Sequence, residues 1–224
     1  MIVYPIWVRI CSFIGIALLG LFPFLGKKHK IGWAWIIPFT GGALALLSVY
    51  YIQIPVQELI TKAITGSDLS MSFRMFLYIL PSGIIQEFFK VLIPLIFLGF
   101  ISNLKLPEDL WGPFAGAGFG LAEAIYIVGL SNQPIGQVAL VERFTAIIFH
   151  IALSTIAINR IKLSKLIWTL PLAMILHSLF NYLAISAMKN MNLWEMEAII
   201  GIFALGLWLV AIIVNRNRKS KGKQ

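Results

Sequence analysis

The segment FRMFLYILPSGIIQEFFKVLIPLIFLGFIS, residues 73–102, is a nearly continuous apolar run of about 30 residues, and roughly 20 are enough to span a bilayer as an α-helix. Its length is compatible with a tilted helix, a helix kinked at Pro81, or an entry helix followed by a span. The whole chain has the same character, because 59% of its 224 residues are hydrophobic and only 12% are charged. Soluble domains carry about 25% charged residues, so this composition predicts a protein that has the bilayer as its solvent.

Hydropathy predicts an all-α, polytopic transmembrane helix bundle of about seven spans, with eight as the alternative, and a site cavity within the bilayer. The predicted spans are roughly 5–26, 31–53, 73–102, 110–130, 138–158, 166–188 and 196–214. Residues 54–72 are mixed in polarity and are expected at the membrane interface. We expect one transmembrane domain, 1–214, with a motif-bearing core at about 73–188 and a basic cytoplasmic tail at 215–224.

The basic residues predict the orientation of these spans. With seven spans, one side of the membrane receives only Lys62 and Lys189 in its loops, whereas the other receives Lys27, Lys28, Lys30, Lys105, Arg160, Lys162, Lys165, Arg216, Arg218, Lys219, Lys221 and Lys223. The positive-inside rule therefore predicts a multi-pass protein of the cell membrane with its N-terminus outside and its C-terminus in the cytoplasm. The net charge of +9 is then explained by topology and lipid contacts, and no nucleic-acid partner is expected. The single cysteine, Cys11, excludes an intrachain disulfide.

Four ionisable side chains, Glu87, Glu123, His150 and His177, lie near the middle of four different apolar segments. Such groups are costly at bilayer depth, so they usually face a protein interior or a wet cavity and mark a function. At the rise of an α-helix, all four lie roughly 12 to 22 Å from the predicted cytoplasmic ends of their spans. This shared depth predicts that they face one cavity.

Neighbouring polar residues support this prediction. Lys90 follows Glu87 by three residues in IQEFFK and can share its helix face and keep the carboxylate ionised. Asn181 follows His177 by four residues in LHSLFNY, which places the two side chains on one face. Asn181 is a candidate to orient a substrate carbonyl or to hold a reacting water.

Two further features lie near the predicted cavity. Glu142 and Arg143 are expected to pair near the outer end of their span, where Arg143 is a candidate to order the cavity mouth. The run GAGFGLAEA, residues 116–124, surrounds Glu123 with small residues. Small residues permit either close helix packing or the approach of a ligand to the backbone.

Two carboxylates and two imidazoles suit amide hydrolysis, which requires an activated water and a stabilised oxyanion. In one version His150, His177 and Glu123 bind a catalytic metal such as Zn²⁺, and the second carboxylate is the general base. In a metal-free version Glu87 activates the water, while a histidine and Asn181 stabilise the oxyanion. The HExxH zinc motif is absent, and the sequence leaves both versions open.

An ordered series of motifs carries a family resemblance. The motifs are QEFFK, GFGLAEAIYIVG, VERFTAIIFHIALS and LHSLFNY, at residues 86–90, 118–129, 141–154 and 176–182. Together they resemble the YhfC-type intramembrane metalloproteases, and they are similar to PrsW-type proteases and, more distantly, to the CAAX-processing and bacteriocin-immunity (CPBP) membrane proteases. The resemblance spans about residues 80–186. It implies a multi-helix endopeptidase whose active site opens inside the bilayer and whose substrate is a membrane protein or peptide.

By motif match, the resemblance assigns catalysis or metal binding to Glu87, Glu123, His150 and His177. The chain departs from the family pattern at Gln86, which replaces the first acid of the usual EExxK motif. A non-catalytic immunity or scaffold protein is therefore one alternative. A proton- or cation-coupled transporter is another, although no internal repeat of the kind common in transporters is found.

Overall fold

The computed structural model describes residues 4–25, 33–100, 107–129, 136–158, 163–187 and 191–221. Within these ranges the α-helices are α1 (Ile6–Leu21), α2 (Ile36–Ala45), α3 (Ile54–Ile64), α4 (Met71–Phe100), α5 (Glu108–Ala124), α6 (Gln137–Ala157), α7 (Leu163–Ala187) and α8 (Leu193–Lys221). Short 3-10 turns lie at Phe22–Phe24 and Trp33–Trp35, and π-helical turns at Val49–Gln53 and Ile125–Gly129. The described ranges contain no strand, so the prediction of an all-α bundle is confirmed.

Six helical stretches of the described chain are long and apolar enough to cross a membrane, as expected for a multi-pass protein. They are Ile6–Phe24, Trp33–Ile64, Met71–Gly99, Gln137–Ala157, Leu166–Ser186 and Leu193–Arg216. The predicted span at 110–130 corresponds to α5, whose 17 residues are rich in glycine and alanine and include Pro113. Every α5 residue from Leu110 to Gly120 is buried by protein.

Three segments differ from, or refine, the predicted boundaries. The second apolar stretch continues as a helix to Ile64, so part of the expected interfacial segment is helical. The π-helical turn Val49–Gln53 ends two residues before Pro55, where the missing proline N–H removes a regular hydrogen bond. The helix α4 continues through Pro81 and Pro94, which excludes a separate entry helix, and α8 extends to Lys221 into the predicted tail.

The predicted orientation depends on loops that the described ranges largely omit. The residues Lys27, Lys28, Lys30, Lys105, Arg160, Lys162, Lys189 and Lys223 lie outside them. The external N-terminus and the cytoplasmic C-terminus therefore stay predictions.

Close contacts of α5 with α6 and α2 explain its small residues. A Cβ atom added at Gly116 would lie 2.3 Å from the backbone oxygen of His150, and one at Gly112 would lie 2.4 Å from that of Ser154. On the α2 side, a Cβ atom at Gly118 would lie 1.9 Å from the backbone oxygen of Phe39. Of the two uses that the sequence allowed, the structure supports helix packing. This packing sets the distance between α5 and the turn of α6 that carries His150.

The substitution Gly116→Ala is expected to destabilise the fold by about 1–3 kcal/mol, because backbone atoms of α6 must move to admit the methyl group. Thermal unfolding of the detergent-purified protein measures the effect. The matched control is Gly15→Ala in α1, where an added Cβ atom meets nothing within 4 Å. This control is expected to leave stability unchanged or to raise it by up to about 1 kcal/mol. Equal effects of the two substitutions would contradict the close approach of α5 to α6.

Candidate functional site

Side chains from three helices meet in the buried interior of the bundle. Glu87 on α4, His150 on α6 and His177 on α7 each offer one ligand-type atom, and these atoms all lie within 4.8 Å of one another. The exposed fractions of the three residues are 0%, 3% and 2%. The convergence predicted from their shared depth is therefore present in the structure.

Glu87 is the acceptor at the centre of this group. Its Oε1 atom accepts hydrogen bonds from Lys90 Nζ and from His177 Nδ1, the latter at 2.7 Å. Because a carboxylate can only accept, the proton of the neutral His177 ring is on Nδ1 and the lone pair is on Nε2. The second carboxylate oxygen of Glu87, Oε2, is buried without a hydrogen-bond partner among the described residues.

Lys90 joins Glu87 on its own helix to His150 on α6. Its Nζ atom lies 3.1 Å from His150 Nδ1 and 4.8 Å from the centre of the Phe119 ring. An ammonium group can only donate, so His150 Nδ1 is an acceptor and the ring proton of a neutral His150 is on Nε2. That Nε2 atom lies 3.2 Å from Glu123 Oε2, which can accept its proton in a hydrogen bond.

Arg143 extends the contacts toward the end of α6. Its Nη1 atom donates to Glu123 Oε2 at 3.1 Å, and its other N–H groups hold both carboxylate oxygens of Glu142. The predicted pairing of Glu142 with Arg143 is thus confirmed. The result is one continuous chain of contacts, the buried network, whose members in order are Glu142, Arg143, Glu123, His150, Lys90, Glu87 and His177. Opposite charges alternate along most of it, which offsets the cost of burying charge in the interior.

The group formed by Glu87, His150 and His177 could hold a metal ion. The sequence placed Glu123 with the two imidazoles, whereas the structure places Glu87 there and leaves Glu123 beside the other nitrogen of His150. The donor types suit a metal, and the unpartnered Glu87 Oε2 is available as a ligand atom. However, the Lys90 ammonium contacts two of the three groups, so a metal ion and Lys90 would compete for the same acceptors.

A cleft of about 510 Å³, lined by both polar and apolar side chains, includes Glu142 of the buried network in its wall. It receives side chains from the π-helical turn Val49–Gln53 and from α3, α4, α6, α7 and α8. Three residues that line the cleft are close in sequence to the site. Gln86 is next to Glu87, Ala146 lies one helical turn before His150, and Asn181 lies one helical turn after His177. Asn181 Nδ2 donates to Ser82 Oγ at 2.9 Å. Asn181, which the sequence placed on the same helix face as His177, thus lines the cleft. It lies about 6 Å from His177 along the axis of α7.

Several cleft residues were missed by the sequence analysis. They are Gln53, Gln57, Ser82 and Glu197, each of which is buried and polar. The first two lie four residues apart in an apolar stretch, and Glu197 begins the last span. Polar residues in apolar segments were therefore the available signal, although none of them belongs to a recognisable motif.

Comparisons of the chain with protein-family models, with curated proteins and with solved structures found no match. The motif resemblance to membrane proteases stays an expectation from the sequence.

Proposed function

We propose that this protein is a membrane-embedded endopeptidase that hydrolyses a peptide bond of a membrane protein or peptide. The observation that carries the proposal is the contact of Glu87 with Lys90 and His177, buried among membrane-spanning helices and one residue from the cleft-lining Gln86. This arrangement combines an acceptor for the proton of a water with fixed positive charge and oriented imidazoles. General-base and electrostatic catalysis of amide hydrolysis need these components.

In the proposed reaction the buried network prepares Glu87 as the base. Lys90 and His177 hold Glu87 Oε1, which leaves Oε2 to take a proton from a water entering from the cleft. The water oxygen attacks the peptide carbonyl carbon, and the positive field of Lys90 favours the developing oxyanion. Asn181 uses one amide hydrogen on Ser82 and has a second to offer the oxyanion. Glu87 then passes its proton to the leaving nitrogen as the C–N bond breaks.

The proposed orientation defines where a substrate enters. The cleft lies toward the N-terminal halves of α4, α6 and α8. If the C-terminus is cytoplasmic, as the basic residues predict, these helix ends face the outside of the cell membrane. Substrate would then reach the cleft from the outer half of the bilayer.

Zn²⁺ is the cofactor that we consider for the same site. It would be held by Glu87, His150 and His177, and it would supply a bound water with a pKa near 7. Lys90 would then have to give up its contacts with Glu87 and His150, since two cations repel each other at this range. The two versions of the mechanism therefore differ in the contacts of Lys90. In the metal-free version Lys90 holds Glu87 Oε1, whereas in the metal-bound version it would contact neither Glu87 nor His150.

The competition between Lys90 and a metal predicts that Lys90→Met binds Zn²⁺ at least about tenfold more tightly than the wild type. Zinc titration and thermal unfolding with Zn²⁺, with Mg²⁺ as the control ion, measure this in detergent-purified protein. The double variant Lys90→Met/His177→Ala lacks one ligand and is expected to lose the gain. Weaker zinc binding by Lys90→Met would show instead that Lys90 supports the metal.

Cleavage of transmembrane peptides in liposomes, followed by mass spectrometry, tests the proposed function. Wild-type protein is compared with Glu123→Ala, His150→Ala and His177→Ala, each checked for folding by its thermal transition. Activity that depends on these three residues supports the proposal. Full cleavage by all three folded variants would contradict it.

A proton-relay function is the second candidate, because the buried network joins seven acidic, basic and imidazole groups in a continuous chain. Intramembrane chains of this kind can carry protons in transporters. A pH-sensitive dye enclosed in the same liposomes would detect such transport. Proton flux without peptide cleavage would favour this candidate, whereas cleavage without flux favours the peptidase.

A further inference from the structure

One carboxylate of the cleft takes no part in the buried network. Glu197 on α8 is 2% exposed and lines the cleft. Neither of its carboxylate oxygens has a hydrogen-bond partner among the described residues. A buried carboxylate without partners is costly, so its position points to a ligand that supplies hydrogen-bond donors.

The charges around Glu197 indicate the sign of that ligand. Among the described residues, Arg143 is a cation within electrostatic range of Glu197, and it already donates to Glu142 and Glu123. The Arg143 guanidinium is thus the shared positive charge beside the carboxylates of Glu123, Glu142 and Glu197. This corner of the cleft therefore carries an excess of negative charge, which favours a cationic group.

A chain of amides supplies a second acceptor. Gln57 Nε2 donates to the Tyr78 backbone oxygen at 3.0 Å, and Gln53 Nε2 donates to Gln57 Oε1 at 3.4 Å. Gln86 Nε2 in turn donates to Gln53 Oε1 at 2.9 Å. Because each amide donates in the same direction, the chain ends in the Gln86 Oε1 acceptor. That atom is buried, has no partner in the described part of the chain, and belongs to a cleft-lining residue.

We propose that the cleft binds the primary ammonium group of a peptide, with Glu197 as the counter-ion and Gln86 Oε1 as an additional acceptor. Apolar side chains including Ile79, Met196 and Ile200 also line the cleft and suit the alkyl part of such a group. The volume of about 510 Å³ fits a side chain and flanking backbone rather than a bare ion. The choice of a peptide as carrier rests on the proposed function, but binding does not require cleavage.

Binding of three peptides to the purified 224-residue protein in detergent tests this inference. The peptides share one apolar sequence and an amidated C-terminus. The first has an internal lysine and an acetylated N-terminus. The other two have norleucine in place of the lysine, one with an acetylated N-terminus and one with a free N-terminus. The wild type is expected to bind at least one ammonium peptide about tenfold or more tightly than the norleucine peptide with an acetylated N-terminus. The two ammonium peptides show whether a lysine or an N-terminus is the preferred source.

Two isosteric substitutions on α8 provide the matched comparison. Glu197→Gln removes the proposed counter-ion and is expected to reduce the ammonium preference to within about threefold. It should fold, because removing an unpaired buried charge is neutral or stabilising. Glu195→Gln makes the same change at an exposed carboxylate of the first turn and should keep the wild-type preference.

Either of two results would overturn the inference: a wild type without ammonium preference, or a folded Glu197→Gln variant that keeps the preference. Thermal stabilisation by NaCl relative to choline chloride, without ammonium preference, would instead assign the acceptors to a metal cation and also overturn it. The outcome is separate from catalysis. Ammonium binding without cleavage would contradict only the proposed peptidase, and cleavage without ammonium preference would contradict only this inference.

Discussion

Replacing Lys90 by methionine is expected to lower the free energy of unfolding by about 3–5 kcal/mol. Lys90 is fully buried and contacts Glu87 Oε1 and His150 Nδ1 at the same time. Methionine fills a similar volume but donates no hydrogen bond and carries no charge. The Glu87 carboxylate would then stay buried with only His177 as a partner, and the acceptor nitrogen of His150 would lose its donor.

The double variant Glu87→Gln/Lys90→Met separates loss of the ion pair from loss of packing. Removing both charges leaves no isolated buried ion, so this variant should recover a large part of the lost stability. Thermal unfolding of the wild type, Lys90→Met, Glu87→Gln and the double variant in one detergent completes the cycle. Equal destabilisation by the Lys90 variant and the double variant would indicate that packing, and not charge pairing, explains the cost.

The largest expected change in activity comes from Glu87→Gln, which should reduce peptide cleavage by about 10²- to 10⁴-fold. Glutamine keeps the shape of the side chain and can accept from His177, but it cannot take the proton of a water. In the proposed reaction, Glu87 Oε2 performs this step. Initial rates in liposomes under saturating peptide measure the change in the chemical step.

The matched control for this variant is Glu58→Gln on α3, an exposed carboxylate to which the proposed reaction gives no role. It should cleave at the wild-type rate. Unchanged cleavage by a correctly folded Glu87→Gln protein would exclude Glu87 as the base and leave Glu123 as the remaining glutamate of the predicted set. Lost cleavage with unchanged peptide binding would agree with a role in chemistry.

The apolar segments and their intramembrane charges were readable from the sequence because both depend on local composition. A stretch such as residues 73–102 has to be helical in lipid, since its backbone groups find no water to bond. The depth of Glu87, His150 and His177 follows from counting residues along such helices. The pairing of Glu87 with Lys90 is also local, because their spacing of three places them on one helix face.

The partners of these groups across the bundle depended on helix rotation and packing, which residue counting does not include. Glu123 was grouped with both imidazoles, but in the structure it contacts His150 from the side opposite Lys90. The close approach of α5 to α6, permitted at Gly116, determines that side. Glu197 was not recognised because its chemistry comes from the cleft and not from a motif.

The sequence by itself determined that the protein is a multi-pass helical bundle with acids and imidazoles at a common depth. The physical basis is that backbone groups in lipid must form hydrogen bonds within a helix, and that isolated charges are costly there. Only the tertiary structure decided that Lys90 lies between Glu87 and His150, and that Glu197 and Gln86 share a cleft. The physical reason is that a span sets the height of a side chain in the membrane. Which residue the side chain contacts depends on its direction around the helix axis and on the helices that pack against that face.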